Sequence, residues 1–573
     1  MKAIKKIVAV IMCLCMVLGC TSFAAFAAGD TGSITIQNPS DSEATVVGKT
    51  FNIYKVFDAI PSGDVTVYSW ALDKNGDEAF YDFFFDPTNG VIKEKEANIV
   101  NAVDYVASFD EKDGINYRLS QLADRLHTYI EEKNESETII EPITVSTNNS
   151  SDTSVTADNL GFGYYLIYDA TNLSGDTSAV RSAVMLKSTT ADVTITLKAN
   201  RPQIQKYVLG NDDVFVKATS VNIGDVVTFK IDLVVPSHNH YPNYKYYVED
   251  TMHESMTLVP DSIVVYKDGA QVNEGEYYDI GTSTRGADIK VDFSDYIEDS
   301  FKYPVGTKIS IEYKATINGE IEAGIANNNT ATLYYSNDPA ANNNTPEDTE
   351  GSTSSVASVY TYTFVFTKFS EDAHGNFSTT TRLANAKFQV YEVDKDGNRV
   401  LIKFSLKKAK EGTPDEHDVY VVDPNGDIDT VVSWNGKAPT EEVIGATHFG
   451  GLLGDITIFG LGEGNYEIKE TEAPDGYYEG DAPVELYIID STDDTGSVTN
   501  LTVTGSYEGE IGSIGNANGS RANLLTWIHY ANQPGSTLPE TGGMGTTLFT
   551  IAGIIMMAGA VAFFTLRKRS SVA

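Results

Sequence analysis

The sequence predicts a mainly β protein built from tandem β-sandwich domains, with a small helical insert in the first domain and an apolar segment at each end. Tyr, Phe, Val, Thr and Ile recur in short alternating runs separated by Gly, Asn, Asp and Pro, which is typical of strands joined by turns. The 573 residues leave room for about three domains of ordinary size between the terminal segments. Similar features recur from one module-sized block to the next and not at a short fixed period, so we expect a string of domains and not a solenoid.

The N-terminal residues have the pattern of a secretory signal peptide, which we assign to residues 1–28. Three lysines precede an apolar run at residues 7–18, and small residues at 25–28 offer a cleavage site. The residues ending at Cys20 also resemble a lipobox, which would acylate that cysteine, but a lipid there would duplicate the C-terminal anchor described below. All three cysteines lie in this leader, so the exported chain has no cysteine for a disulfide.

The formal charge of −39 argues against nucleic acid or an anionic membrane surface as a partner, because phosphate binding needs clustered Lys and Arg. We expect no cofactor. His238 and His240 could supply two metal ligands, but the sequence offers no third ligand at a useful spacing, so we predict a polar loop and no metal site. The sequence also lacks a Gly-rich phosphate loop and the Gly-x-Ser-x-Gly elbow of hydrolases, which argues against a surface enzyme.

The first domain is assigned to residues 29–200. Alternating runs at 33–36 and 51–57 predict its first strands, and similar runs before residue 200 predict its last ones. Between about residues 94 and 132 the apolar residues recur at spacings of three and four. This change of period predicts two short helices inserted between the strands.

The second domain is assigned to residues 201–358 and the third to residues 359–533. Strand patterns recur through both. The Asn-rich, acidic residues 337–355 predict a long loop or linker between them. In the third domain, Asp396-Gly397 and Asn425-Gly426 are turn signals suited to hairpins.

Residues 534–573 combine a pentapeptide, an apolar run and a basic tail. The apolar run at 543–566 is long enough, at about 1.5 Å per residue, to cross a membrane as a helix, and the tail would stay cytoplasmic. The pentapeptide resembles the LPXTG sorting signal of Gram-positive surface proteins, which a sortase cleaves between Thr and Gly. It consists of Leu538, Pro539, Glu540, Thr541 and Gly542. The resemblance implies a secreted protein, held transiently in the membrane and then attached to peptidoglycan.

Residues 466–477 read YEIKETEAPDGY and resemble the E-box of Cna-B-type pilin domains, Y-x-L-x-E-T-x-A-P-x-G-Y, with Ile468 in place of Leu. The resemblance implies Ig-like sandwiches of the Cna type. In that family a Lys of the first strand and an Asn of the last strand condense to an isopeptide bond with loss of ammonia. Carried over to this sequence, the resemblance implies that Lys368 and Asn532 form the bond and that Glu470 is the catalytic acid.

The residue types suit this chemistry. A lysine is a nucleophile only when it is neutral, and burial in an apolar core lowers its pKa. The same burial is expected to raise the pKa of Glu470, so that it donates a proton to the amide. The alternative is a buried ion pair between Lys368 and Glu470 beside a hydrogen-bonded Asn532.

The second domain resembles a related module with weaker markers. Lys206 lies where the family places its first-strand lysine, and Asn329 begins a strand like the family's last one. Asp250 matches a D-T-M-like segment of the family and is the implied acid, with Glu249 as the second candidate. The run of three asparagines that ends at Asn329 leaves open which amide reacts.

The first domain contains only a degenerate echo of the E-box at residues 165–169 and no recognisable last-strand asparagine, so we expect no isopeptide bond there. Residues 193–200 resemble the pilin motif of backbone pilins, V-x-V-Y-P-K-N, although Thr and Leu replace its Tyr and Pro. The resemblance implies that Lys198 is the amine that links one subunit to the next. The alternative is an ordinary surface lysine at the end of a strand.

Together these features resemble a three-domain major pilin. The resemblance implies that a class C sortase holds Thr541 as a thioester, that Lys198 of the next copy attacks it, and that a housekeeping sortase joins the polymer to peptidoglycan. Minor pilins and a host or partner-cell ligand are further candidate partners. The alternative is a monomeric wall-anchored adhesin or tip pilin that binds a host ligand. In both cases the protein is a sortase substrate and not an enzyme, apart from autocatalytic isopeptide formation.

Overall fold

Three β modules follow one another along the chain and precede an apolar helix, which confirms the mainly β fold class. We call residues 31–197, 204–360 and 362–532 the first, middle and third modules. The computed structural model describes residues 31–39, 45–62, 65–73, 75–92, 97–109, 117–137, 140–173, 181, 185–189, 191–197, 201–236, 244–297, 302–338, 350–371, 377–409, 416–436, 450–479, 483–492, 496, 498–505, 511–513, 525–535 and 544–569.

The first module combines two sheets with a group of helices. Its elements are β1 (Thr31–Gln37), β2 (Thr50–Ser62), β3 (Val65–Trp70), α1 (Tyr81–Phe85), α2 (Ile99–Ala107), α3 (Tyr117–Glu137), β4 (Ile143–Ser146), β5 (Ser154–Gly161), β6 (Gly163–Asp169), β7 (Met185–Thr189) and β8 (Val193–Thr196). One sheet has the order β3-β2-β6-β7, with β4 also paired to β2, and the other has the order β5-β1-β8.

The helical insert is larger than the two short helices that the sequence predicts. Helix α3 is 21 residues long, and α1 adds one turn before the predicted region. Apolar spacing missed α1 because five residues are too few to show a helical period. The insert packs through aromatic rings: Phe84 of α1 lies 5.6 Å from Phe57 and 5.7 Å from Trp70, measured between ring centroids.

The middle module is a sandwich of two sheets. Its elements are β9 (Ile204–Leu209), β10 (Phe215–Val216), β11 (Ala218–Ser220), β12 (Val226–Val234), β13 (Tyr246–Thr251), β14 (Met256–Leu258), β15 (Val264–Lys267), β16 (Ala270–Val272), β17 (Asp279–Gly281), β18 (Ile289–Asp292), α4 (Ser294–Ile297), β19 (Lys308–Ile317), β20 (Asn327–Ser336) and β21 (Glu350–Tyr360). The sheet orders are β10-β9-β12-β19-β15-β16, with β14 on β19, and β11-β21-β20-β13-β18-β17.

Strand period explains how this sandwich closes. On β19 every second residue is buried, including Ile309, Ile311, Tyr313 and Ala315, because side chains alternate between the two faces of a strand. These residues face the core between the sheets. A polar side chain at such a position is therefore inside the protein and needs a partner.

The predicted linker at residues 337–355 is wrong over its last part. Strand β21 begins at Glu350 and pairs with β20 along its whole length, from Ser336 opposite Glu350 to Asn327 opposite Val359. The first six residues of β21 are Glu, Gly, Ser and Thr residues, so they show none of the apolar alternation by which strands are recognised. Strand β21 also extends to Tyr360, two residues past the expected end of the second domain at 358, and the domain limits themselves stay predictions.

The third module is a second sandwich. Its elements are β22 (Tyr362–Glu371), β23 (Phe377–Arg382), β24 (Lys387–Val393), β25 (Arg399–Leu401), β26 (Phe404–Ala409), β27 (His417–Val422), β28 (Val431–Val432), β29 (Asp455–Leu461), β30 (Gly464–Glu472), β31 (Val484–Thr492), β32 (Val498–Gly505), β33 (Ile511–Ser513) and β34 (Leu525–Asn532). One sheet has the order β26-β27-β29-β22-β34-β33, with β23 on β22, and the other has β25-β24-β30-β31-β32, with β28 on β24.

One of the two predicted hairpins is present. Gly397 has φ +81° and closes the turn between β24 and β25, which pair antiparallel. Gly426 also lies in a tight turn, where its N–H donates to the Asp423 carbonyl at 2.9 Å. The strands on either side of that turn pair elsewhere, β27 with β26 and β28 with β24, so this turn joins the two sheets and makes no hairpin.

The middle and third modules are joined by a close contact. Thr361 alone separates β21 from β22 and is fully buried. The side-chain oxygen of Asn222 accepts hydrogen bonds from the Gly462 N–H at 2.8 Å and from the Tyr466 hydroxyl at 2.9 Å. These buried hydrogen bonds tie the loop after β11 to the strand that carries the E-box.

The C-terminal helix α5 (Met544–Arg569) contains the apolar segment Thr547–Arg567, with a mean hydropathy of 2.2. None of this segment is buried. Among the described residues it is the one helix long and apolar enough to cross a membrane, as the sequence predicts.

Candidate isopeptide sites

In the third module, strand pairing places Lys368 beside Asn532. Strands β22 and β34 run parallel, with Lys368 opposite Tyr530 and Ser370 opposite Asn532. Because Lys368 and Ser370 are two residues apart, their side chains share a face, and Asn532 faces the same way. The Lys368 Nζ donates a hydrogen bond to Asn532 Oδ1 at 2.5 Å.

Glu470 reaches this pair from the opposite sheet. The alternation of β30 buries Tyr466, Ile468 and Glu470 on its inner face. Asn532 Nδ2 donates to both carboxylate oxygens of Glu470, at 3.0 and 2.9 Å, and Lys368 Nζ lies 3.8 Å from Glu470 Oε1. The three side chains are thus in mutual contact inside the sandwich.

Burial prepares this lysine for attack. Desolvation lowers the pKa of Lys368 to about 7, although the charges of Glu470 and Glu371 act in the opposite direction. A neutral amine is therefore available near neutral pH. Formation of the Nζ–Cγ bond with loss of Nδ2 as ammonia moves one proton from Nζ to Nδ2, and the carboxyl group of Glu470 lies within reach of both atoms.

In the middle module, Lys206 of β9 meets Asn329 of β20 and Asp250 of β13. Lys206 Nζ donates to Asn329 Oδ1 at 2.8 Å and to the carboxylate of Asp250. All three side chains are fully buried. Burial lowers the pKa of Lys206 to about 8, against the raising effect of Asp250, and burial raises the pKa of Asp250.

The structure distinguishes among the asparagines left open by the sequence. Asn327 is buried and bonded to backbone groups, including the carbonyls of Glu322 and Val359. Asn328 is exposed and accepts from the Ser358 hydroxyl at 2.8 Å. Asn329 is the one of the three that contacts Lys206.

The second candidate acid, Glu249, points elsewhere. It is next to Asp250 on β13, so its side chain projects from the other face of the strand. Its carboxylate is also buried, but it lies 3.9 Å from Arg285, on the face of the strand away from Lys206. Asp250 is the carboxylate that the fold places beside the lysine.

The sequence did not predict that the two sites differ in topology. In the third module the lysine and the asparagine lie on adjacent strands of one sheet. In the middle module Lys206 and Asn329 lie on different sheets, so a bond between them would cross the core. Strand β20 is also followed by β21, and it is not the last strand of the module.

Tyr313 is a further residue of the middle site that the sequence did not predict. Its hydroxyl accepts hydrogen bonds from Lys206 Nζ and Asn329 Nδ2, both at 2.7 Å, and donates to Asp250 Oδ1 at 3.0 Å. The alternation of β19 indicates that Tyr313 faces inward. Placing it near Lys206 requires the strand order β9-β12-β19 within one sheet, and placing it near Asn329 and Asp250 requires that the second sheet stacks on the first.

The first module has a different arrangement at the equivalent of the E-box. Lys49 Nζ donates to Asp169 Oδ2 at 2.6 Å, and the Asp169 side chain is fully buried. Asp169 lies on β6 at the position that Glu470 has in the degenerate echo of the E-box. Thr171 also hydrogen-bonds to Asp169. This is an ion pair, and the absence of an isopeptide bond here stays a prediction.

Several predicted residues lie outside the described residues. They are Lys198, His238, His240, Leu538, Pro539, Glu540, Thr541 and Gly542. Strand β8 ends at Thr196, two residues before Lys198, and helix α5 begins at Met544, two residues after Gly542.

The rate of bond formation is expected to pass through a maximum as the pH rises. Attack needs a neutral lysine, so formation of the third-module bond should speed up towards about pH 7, in line with the pKa of Lys368 of about 7, and should slow again at higher pH, where the acid that protonates the leaving nitrogen has lost its proton. The maximum for the middle bond should lie about one pH unit higher, since the pKa of Lys206 is about 8. To measure the rates, the protein is purified in the unfolded state and diluted into buffers of set pH. It is then digested, and each cross-linked peptide is quantified by mass spectrometry. A flat profile with equally fast refolding would contradict this order of events.

Two known families match the chain within and after the third module. Residues 531–571 match the model of the LPXTG cell wall anchor motif, and residues 375–503 match that of a prealbumin-like fold domain. The anchor match covers the predicted sorting signal and α5. The expected cell-wall localisation is therefore confirmed.

The chain is also similar to streptococcal and corynebacterial surface proteins. It is 27% identical over 409 residues to the trypsin-resistant surface T6 protein of Streptococcus pyogenes serotype M6, covering 65% of this chain and 70% of the relative. The solved T6 backbone pilin of that serotype superimposes with a TM-score of 0.50 at 18% identity, over 89% of this chain and 100% of that chain. The full-length major pilin SpaD from Corynebacterium diphtheriae gives a TM-score of 0.43 at 15% identity, over 88% and 98%. The chain is a cell-wall-anchored surface protein of Gram-positive bacteria with the modular β fold of a backbone pilin.

Proposed function

We propose that this protein is the major structural subunit of a covalently polymerised pilus, stabilised by internal isopeptide bonds between Lys206 and Asn329 and between Lys368 and Asn532. The observation that carries the proposal is a buried Lys, Asn and carboxylate group in each of two modules that lie ahead of an LPXTG anchor. The likeness to the solved T6 backbone pilin supports it.

The proposed assembly uses both ends of the exported chain. A class C sortase cleaves between Thr541 and Gly542 and holds Thr541 as a thioester. Lys198 of the next copy attacks this thioester and forms an amide bond between subunits. A housekeeping sortase transfers the completed polymer to peptidoglycan, and minor pilins join the same fibre. The protein acts here as a substrate, and its own chemistry is limited to the internal bonds.

The internal bonds have a structural reason in this chain. The exported protein has no cysteine, so disulfides do not stabilise it outside the cell. Like a disulfide, a Lys–Asn bond lowers the conformational entropy of the unfolded chain, because it closes a loop within each module. Unlike a disulfide, it is not broken by reductants.

The proposal predicts a ladder of SDS-resistant multimers from intact cells. Lys198→Ala should remove the ladder and leave a single wall-attached band, because the donor signal is intact and the acceptor amine is lost. Lys395→Ala is the matched control, since the Lys395 side chain is 82% exposed and far along the chain from the junction.

Immunoblots of cell-wall extracts measure this directly. A ladder that persists in Lys198→Ala cells would mean that another lysine is the acceptor. A single band from cells with the unaltered protein would overturn the pilus subunit and favour the monomeric adhesin, whose ligand-binding candidate is the first module.

A further inference from the structure

The Tyr313 hydroxyl lies at the centre of the middle site. It is within 3.0 Å of the reacting nitrogen of Lys206, the leaving nitrogen of Asn329 and the carboxylate of Asp250. The residue is 1% exposed, and its ring lies 5.2 Å from Lys206 Nζ, with the Phe229 ring at 5.3 Å on the same ammonium group. Tyr313 therefore contacts both atoms between which a proton has to move.

The third site handles the leaving amide differently. There, Asn532 Nδ2 donates directly to both oxygens of Glu470, so the acid contacts the nitrogen that it has to protonate. In the middle site, Asn329 Nδ2 donates to the Tyr313 hydroxyl, and this hydroxyl in turn donates to Asp250. The tyrosine occupies the position between amide and acid.

We propose that Tyr313 is a catalytic residue of the middle site and relays a proton from Asp250 to the leaving nitrogen of Asn329. The inference rests on the proposed internal bond between Lys206 and Asn329. Lys206 first passes one proton to Asp250, which leaves a neutral amine and a neutral carboxyl group. The amine attacks Cγ of Asn329, and the Nζ–Cγ bond forms.

The proton transfers then balance within the site. Asp250 gives its proton to the Tyr313 oxygen as Tyr313 gives its own to Nδ2, the Cγ–Nδ2 bond breaks, and ammonia leaves. The proton that Nζ sheds returns to Asp250, so Tyr313 ends as it began and Asp250 ends as a neutral acid inside the core. Burial raises the pKa of Asp250 and holds that of Tyr313 well above its usual range, which suits groups that carry protons here.

The test is Tyr313→Phe in the processed chain, which keeps the ring and removes the hydroxyl. Protein purified in the unfolded state, before the bond has formed, is diluted into refolding buffer. The amount of the cross-linked peptide containing Lys206 and Asn329 is then followed over time by mass spectrometry. Loss of a proton relay should slow formation of this bond about 100-fold. The bond between Lys368 and Asn532 in the same chain is the internal control and should form at the unaltered rate.

Tyr246→Phe is the matched control for folding. Tyr246 is fully buried in the same module, and its hydroxyl donates to the Val234 carbonyl at 3.2 Å, away from Lys206. It should lose a buried hydrogen bond and still form the middle bond at the unaltered rate. Asp250→Asn removes the proton donor itself. It should block formation of the bond between Lys206 and Asn329, which Tyr313→Phe only slows.

The outcomes separate the relay from the bond itself. If the unaltered chain lacks the cross-linked peptide, the middle bond does not exist, and that part of the proposed function fails with the relay. If the unaltered chain has the peptide and Tyr313→Phe forms it equally fast, the relay alone is overturned. If Tyr246→Phe slows the bond as much as Tyr313→Phe, general loosening of the module explains the effect, and the relay is again overturned.

Discussion

The exported chain, without leader or anchor, is expected to weigh less than its sequence by two molecules of ammonia. Each internal bond removes one, because the amide nitrogen of Asn329 or Asn532 leaves as the lysine replaces it. Both sites hold the lysine within 2.8 Å of the asparagine oxygen and in contact with a buried carboxylate. Intact-mass measurement of the purified protein gives the answer directly.

Variants assign the two losses. Lys206→Ala and Lys368→Ala should each retain a loss of one ammonia relative to their own calculated mass. Lys387→Ala is the control, since Lys387 is an exposed lysine paired with Glu472 and should keep both losses. No loss in the unaltered protein would reduce both sites to buried hydrogen-bonded ion pairs, the alternative raised for the third module.

The free energy of unfolding of the third module is expected to fall by about 5 kcal/mol in Asn532→Ala. The bond between Lys368 and Asn532 closes a loop of about 160 residues, and a cross-link over such a length removes about 5 kcal/mol of entropy from the unfolded chain. Guanidinium titrations followed by tryptophan fluorescence measure it. Trp434 and Trp527 lie in the third module, the middle module contains no tryptophan, and Trp70 of the first module is replaced by Phe in all variants so that it adds no signal.

A double-mutant cycle separates the bond from ordinary packing. Lys368→Met removes the same bond from the other side while keeping most of the side-chain volume. If the bond carries the effect, the double variant should be about as unstable as either single variant, because a cross-link is lost only once. Additive losses would instead indicate two independent packing defects. Asn328→Ala, at an exposed asparagine, is the control and should change stability by less than about 0.5 kcal/mol.

Local patterns predicted the parts of the sites that lie on single strands. The alternation of residues 466–470 is enough to turn Glu470 inward, and the strand period does the same for Lys206 and Lys368. The E-box resemblance then indicated which residues meet. The structure brings each predicted lysine, asparagine and acid together, and whether the bonds form stays a prediction.

The rest depends on contacts between distant strands. Tyr313 approaches Lys206 within one sheet, across β12, and approaches Asn329 and Asp250 from the facing sheet, and no local pattern in the sequence predicts either contact. The sequence did not predict the first part of strand β21, because this part lacks apolar alternation and is a strand through its hydrogen bonds to β20. Helix α1 was too short to show a period.

In the proposed fibre, the single residue between β21 and β22 would carry a pull from the middle module to the third. If both internal bonds form and Lys198 is the linking lysine, the load enters at Lys198, crosses from Lys206 to Asn329, follows β20 and β21 through Thr361 to Lys368, and leaves through Asn532. The chain between each bonded pair, about 120 residues in the middle module and about 160 in the third, would then bear no load. At about 3.5 Å per residue, the two bonds would prevent roughly 1,000 Å of extension on unfolding.

The first module lies entirely outside this line, because the proposed linking lysine follows its last strand β8. With Lys198 as the linking lysine, its fold would not be stretched when the fibre is pulled. A module in that position needs no covalent brace, which agrees with the ion pair between Lys49 and Asp169 where the third module has its reactive site. Its loops and helical insert are free to vary in sequence without weakening the fibre.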